Sequence, residues 1–244
     1  MKTIGQTVLI TGGASGIGLA LTERFLAAGN TVIICGRRRD KLEAAKARLP
    51  GLHVRVCDVG DAKERVALRD WAVGEFPQLN VLINNAGIQQ PVALKEPQAW
   101  ENLRGELAIN LDAPIHLASL FMPHLLGRPE SAIVNVTSGL SFSPLANVPV
   151  YSATKAALHS FTLSLRHQLA GTPVEVVEII PPAVDTDLGG PGLHTFGAPL
   201  KEFSDGIWGQ LEAGKSEAAY GFAAAAAQAS REQLDAMFKR MNTH

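Results

Sequence analysis

Short apolar runs alternate with longer amphipathic stretches along the chain. Residues 7–10, 31–35, 53–57, 81–83, 132–136 and 174–180 are brief, mostly β-branched runs bounded by turn residues, and they predict strands buried on both faces. Helical periodicity fills the gaps: from the glycine-rich turn after the first strand to residue 28, over 41–49 with Leu42 and Ala45 inward, from near Asp61, over 97–126, and over 151–169. Alternating strands and helices predict an α/β fold, a doubly wound parallel sheet of six to seven strands with helices on both faces and a ligand site at the strands' carboxyl ends. Past residue 187 the pattern weakens. Residues 188–203 are Gly/Pro-rich and suit either a substrate lid or a disordered loop; 207–213 read as a helix whose Trp208 walls a pocket. Residues 218–222 offer a short seventh strand, and 223–227 lead into a helix through 241 packed by Leu234, Met237 and Phe238.

Composition narrows the functions available. The 244 residues suffice for one large domain, 1–244, with 188–215 as a substrate-loop insertion. The net charge of −1 and a single short basic run, Arg37-Arg38-Arg39, give no reason to expect nucleic acid. The N-terminal M-K-T-I-G-Q-T has no signal-peptide apolar region, and the uncharged stretch 131–154 is too rich in Asn, Ser and Pro to span a membrane. Cys35 and Cys57 lie in apolar runs and read as buried, reduced thiols of a cytoplasmic protein. The seven histidines show no metal-ligand spacing, so no metal site is expected.

Two stretches carry chemistry. The first, T-G-G-A-S-G-I-G at 11–18, lies between a strand and a helix. Gly12, Gly16 and Gly18 permit a tight turn, close approach of a diphosphate and close helix packing, and Ser15 and Ile17 flank the phosphate position at the helix N-terminus. The second strand ends at Gly36 where an acidic ribose-binding residue would stand, followed by Arg37 and Arg38. That pattern favours NADP(H), with NAD(H) the second choice because Asp40 is near. Asp58, followed by Val59, suits either an adenine contact or a helix cap; Asn85-Ala86-Gly87 let a ligand approach the backbone.

The second stretch runs from Ser138, just past a strand end, to Tyr151 and Lys155, one turn apart on a helix face. A hydroxyl, a phenol and an ammonium at one strand end suit proton transfer to an alcohol oxygen while hydride moves elsewhere. A free phenol titrates near about pH 10, and an adjacent ammonium is expected to lower it. The plainer alternative is a hydrogen-bonded Ser and a surface Tyr-Lys pair.

Thr11 to Gly18, Asn84 to Gly87, Asn110, Ser138, Tyr151, Lys155 and Pro181 to Thr186, in this order and with Ser138 thirteen positions before Tyr151, resemble the short-chain dehydrogenase/reductase family. The resemblance implies a single Rossmann-type domain. It makes Tyr151 the general acid/base, Lys155 the group that assists Tyr151 and holds the nicotinamide ribose, Ser138 the substrate-oxygen partner and Asn110 the organiser of a relay water. Pro114 lies four residues after Asn110 and has no N–H for its carbonyl, which leaves that carbonyl to a water or leaves a simple proline kink with a capping Asn. Pro181, Val184 and Thr186 become nicotinamide contacts. Pro182 replaces the family's usual glycine, and the double proline resembles a branch of oxidoreductases encoded with lipoteichoic-acid D-alanylation functions.

A small-residue stripe, Ala153, Ala157, Ser160 and Ser164, fits internal packing or a subunit contact. The family's usual association through this helix implies a homo-oligomer, dimer or tetramer. The expected function is an NADPH-dependent carbonyl reductase or alcohol dehydrogenase acting on a small-molecule carbonyl or alcohol. A cofactor-sensing protein with little turnover is the alternative, and an isomerase or dehydratase using the same phenol is a third. Gln89, Phe142, Val148, Phe196 and Trp208 are the pocket-shaping candidates.

Overall fold

The structure is a computed structural model and describes residues 1–243. Seven parallel strands form one sheet, β1 (Thr7–Thr11), β2 (Thr31–Gly36), β3 (His53–Val56), β4 (Val81–Asn84), β5 (Ser131–Val136), β6 (Val174–Ile180) and β7 (Glu217–Ala219), in the order β3-β2-β1-β4-β5-β6-β7. The order reverses between β1 and β4, so a crevice opens at their carboxyl ends. Nine α-helices among the described residues cover the sheet: α1 (Gly16–Ala27), α2 (Arg39–Arg48), α3 (Ala62–Glu75), α4 (Trp100–Leu107), α5 (Ala113–Leu126), α6 (Pro149–Gln168), α7 (Leu200–Glu212), α8 (Gly221–Ala227) and α9 (Arg231–Met241).

Strand alternation sends side chains to two cores. Val8 and Ile10 join Phe25 of α1, Leu42 of α2 and Phe203 of α7 on one face; Leu9 joins Leu68 of α3, Phe121 of α5 and Leu165 of α6 on the other. Each such fully buried aliphatic or aromatic side chain contributes about 1.5–3 kcal/mol. This is why the runs of β1, β2 and β4 carry little polar alternation; the edge strand β3, expected to be buried on both faces, instead alternates as H-V-R-V and is largely exposed. No helix of the described residues is long and apolar enough to cross a membrane.

Three expectations are corrected. The helix expected over 97–126 is two helices joined by a π-helical segment, Ala108–Asp112, where the Ala113 N–H reaches back to the Ala108 carbonyl. Pro114 cannot donate to residue 110, and the hydrogen-bond ladder slips by one position around it. The C-terminal helix is likewise two, because Ser230 opens α9 with a capping box to Gln233. It buries no residue: Leu234 and Met237 are half-buried, and Phe238 is exposed. Finally, 188–215 contains a helix that packs into the core. Pro199 caps α7, whose Trp208 packs edge-on against Phe25 at 5.0 Å and donates to Glu212 at 2.7 Å, so Trp208 belongs to the core and does not line the cleft at the strand ends.

Candidate active site

At the crevice the chain turns sharply. Gly12 has φ 66° and Gly16 φ 52°, backbone shapes that favour glycine. Gly18 is required for another reason: a Cβ there would lie 2.3 Å from the Gly12 carbonyl oxygen and 2.4 Å from Asn85 Nδ2. The turn is tied to β4, since Asn85 Nδ2 donates to the Thr11 carbonyl at 2.9 Å and the Asn85 and Ala86 N–H groups donate to Thr11 Oγ1, each at 3.0 Å. Asn85 therefore anchors the glycine turn as well as facing the crevice.

A cleft of about 1350 Å³ opens here, and all the expected cofactor positions line it: Gly12, Ser15, Gly16, Ile17, Gly18, Arg37, Arg38, Asp58, Val59, Asn85, Ala86, Gly87, Tyr151, Lys155, Pro181, Val184 and Thr186. At one end Arg38 Nη2 donates to Ser15 Oγ at 3.0 Å, and Arg37 lies 3.8 Å from the Asp58 carboxylate. The cap of α3 is Asp61, which accepts from the Lys63 and Glu64 N–H groups, so Asp58 stays beside the cleft and accepts from Gly60 N at 2.8 Å. Among the described residues, no cluster of His, Cys, Asp or Glu could hold a metal ion.

At the other end stand Ser138, Tyr151 and Lys155. Ser138 follows β5, opens a 3₁₀ turn (Gly139–Ser141) and accepts from Leu140 N at 3.1 Å. Tyr151 and Lys155 project from the first turns of α6, and both are buried. Lys155 Nζ donates to the Val136 carbonyl at 2.7 Å and lies 5.7 Å from the Tyr151 ring centroid. Burial pushes Tyr151 up to about 12, with the Ser138 hydroxyl opposing and the Glu106 carboxylate reinforcing that rise. Burial lowers Lys155 to about 8, opposed by Glu106. Burial of the phenol itself thus outweighs the lowering expected from Lys155, and at neutral pH Tyr151 is a protonated acid.

Asn110 is fully buried behind the cleft. Its side chain clamps the loop after β4, accepting from Ile88 N at 2.9 Å and donating to the Ile88 carbonyl at 2.8 Å, with Thr154 Oγ1 at 3.3 Å. It does not cap a helix. The clamp threads Gly87 between Asn110 and Lys155, where an added Cβ would lie 3.4 Å from Asn110 Oδ1 and 3.8 Å from Lys155 Nζ.

Several site residues were not foreseen. Leu140, Leu145, Phe222 and Met241 line the cleft near Ser138, and Met241 Sδ lies 3.7 Å from Ser143 Oγ. Of the pocket-shaping candidates Gln89 and Phe196 line the cleft; Phe142, Val148 and Trp208 do not, and Phe142 instead packs edge-on against His159. Residues 188–199 fold as turns that line the cleft, their base closed by Asp185 N to the Ala198 carbonyl and Ala198 N to the Ala183 carbonyl, each at 2.9 Å.

Behind Ser138, fully buried Glu178 accepts from Thr137 Oγ1 at 2.6 Å and pairs with His159 Nδ1 at 2.9 Å. A Glu inside the apolar run V-E-V-V-E-I-I was the available signal. Glu178 holds His159 above the usual imidazole value. A histidine raised on folding adds stability that is complete below about pH 6.5 and is lost as pH rises through the folded value. Thermal melts across that window should therefore show the wild type losing more stability than His159→Asn as pH rises. Parallel pH curves would refute the pairing.

The short chain dehydrogenase family profile matches residues 6–193. "Uncharacterized oxidoreductase DltE" of Bacillus subtilis (strain 168) is 49% identical over 249 residues, covering 100% of this chain and 99% of that protein. "NADP-dependent 3-hydroxy acid dehydrogenase YdfG" of Escherichia coli (strain K12) is 32% identical over 181 residues, 71% of each chain. Among solved structures, a short chain dehydrogenase from Burkholderia cenocepacia J2315 in complex with NADP superposes with a TM-score of 0.85 at 26% identity, covering 100% of both chains.

Proposed function

The chain is an oxidoreductase of the short-chain dehydrogenase/reductase family, and from that premise we propose that it is an NADPH-preferring carbonyl reductase, acting as an alcohol dehydrogenase in reverse. The observation that carries the reading is the cleft itself, with two arginines and a serine at one end and a protonated, buried phenol beside a serine and a lysine at the other.

The residues fit a dinucleotide. Gly12, Gly16 and Gly18 leave backbone room that side chains would fill, and the N-terminus of α1 faces the cleft with no side-chain cap on its Ser15. Arg37, Arg38 and Ser15 Oγ would hold a 2′-phosphate. When bound, the cofactor supplies the hydride. Tyr151 gives its proton to the carbonyl oxygen, Ser138 donates a hydrogen bond that steadies the developing charge, and the Lys155 ammonium offsets the phenolate left behind. Asn110, through Ile88, holds the loop that forms one wall.

Around Ser138 the apolar Leu140, Leu145, Phe222 and Met241 favour an uncharged carbonyl carrying an apolar arm. Ala153, Ser160 and Ser164 face outward on α6 beside the exposed Leu163, which supports a homo-oligomer contact over internal packing. Buried reduced Cys35 and Cys57 suit a cytoplasmic protein. The 2,′-phosphate assignment predicts that Arg37→Ala and Arg38→Ala each weaken NADPH binding about tenfold or more, the loss of a charge-assisted contact, while NADH binding changes less than about twofold. Fluorescence titration with both cofactors checks it; equal losses for NADH would contradict the NADPH preference.

A further inference from the structure

One buried acid in the site has no place in the roles above. Glu106 lies in the last turn of α4, one helical turn before Asn110, and it is fully buried. One carboxylate oxygen accepts from Gln90 N at 3.3 Å; the other, Oε2, has no partner at all. Leaving a buried carboxylate oxygen unmatched is costly, and a position meant only for packing would carry an apolar side chain. α4 packs against α6, the helix that carries Tyr151 and Lys155, and the loop after β4 links the two: its Gln90 N–H binds Glu106, and a Cβ at its Gly87 would lie 3.8 Å from Lys155 Nζ.

We propose that Glu106 is the counter-charge of the Tyr151–Lys155 pair, a positioning residue that acts through Lys155 by holding its ammonium charged in the buried site. The electrostatics run the right way. Burial pushes Glu106 up to about 7, with the Lys155 ammonium pulling it back, and the same interaction supports Lys155 against its fall to about 8. Above neutrality Glu106 is anionic and sustains Lys155. Without that charge Lys155 is discharged at lower pH, and the phenolate formed at Tyr151 loses its compensation. This role rests on the reductase reading, but the coupling beneath it is measurable without any substrate.

Two experiments decide it. Infrared difference spectra of the substrate-free protein, taken across neutral pH, should show a buried carboxylic-acid band that vanishes as pH rises, is absent from Glu106→Gln and titrates at higher pH in Lys155→Met. In turnover, Glu106→Gln should move the alkaline limb of kcat/KM to lower pH by about one unit, so that activity above the limb falls about tenfold, and Glu106→Asp should restore most of it. A band midpoint indifferent to Lys155→Met, or a Glu106→Gln profile superimposable on the wild type, would overturn the proposal. Should the wild type reduce no carbonyl, the reductase reading fails while the infrared titration still decides the coupling.

Discussion

Tyr151→Phe is expected to leave a folded protein that binds NADPH as the wild type does and turns over at least about 10³-fold more slowly. The reasons are local. Tyr151 is buried at the head of α6, and Phe keeps the ring and its packing while removing only the acidic oxygen. With burial holding the phenol near 12, its proton is present throughout the working range. General acid catalysis by a positioned side chain is worth about 10²–10⁴-fold, and the neighbouring Ser138 is a far weaker acid than the phenol it would have to replace. A melt, a cofactor titration and steady-state rates on the same preparation separate the outcomes. Retained turnover would remove Tyr151 from the chemistry; lost cofactor binding would make it a binding residue.

Gly18→Ala should be nearly as damaging, by a different route. Its new methyl would meet the Gly12 carbonyl oxygen at 2.3 Å and the Asn85 amide at 2.4 Å, and neither is free to move. Asn85 is held by its bond to the Thr11 carbonyl, and Gly12 by its N–H to the Cys35 carbonyl at 2.8 Å. Overpacking alone costs about 1–3 kcal/mol, and breaking the Asn85 anchor adds about 1–3 kcal/mol more, against a total stability of about 5–15 kcal/mol. The expected result is poor soluble yield, a melt lowered by roughly 5 °C or more, and NADPH binding lost in what remains folded. Gly209→Ala in α7 is the control, because a methyl there meets nothing within 4 Å and should stabilise the helix by about 0.5–1 kcal/mol. Equal melts for the two variants would refute the close-packing account of Gly18.

The alternation that sends Val8 and Ile10 to one core and Leu9 to the other was legible in the apolar runs, since strands covered on both faces leave no polar positions. Gly12, Ser138, Tyr151 and Lys155 were legible for a related reason: each takes its place from a strand end or a helix turn, features with local signatures. Trp208 was misread because helical period gives a face but not the partner, and only the return of α7 onto α1 puts it against Phe25. The break after Asn110 was half legible. Pro114 announced a missing donor, but the slip into a π turn, and the clamp of Asn110 on Ile88, depend on a loop twenty-two residues upstream. The raised phenol was misjudged for want of depth, because a sequence shows which charges stand near but not how far burial penalises them. Glu106 left a trace, an acid on the inward side of an otherwise apolar turn, that gains meaning only beside Lys155.

The most direct test of the central claim is to follow the hydride itself. With NADPH deuterated at both C4 positions and an uncharged ketone carrying an apolar arm, mass spectrometry of the alcohol product reads the label. The account predicts one deuterium bound to the carbinol carbon and one NADPH consumed for each alcohol formed. Product without deuterium, or product formed with no net loss of NADPH, would contradict it and point to an isomerase or dehydratase using the same phenol.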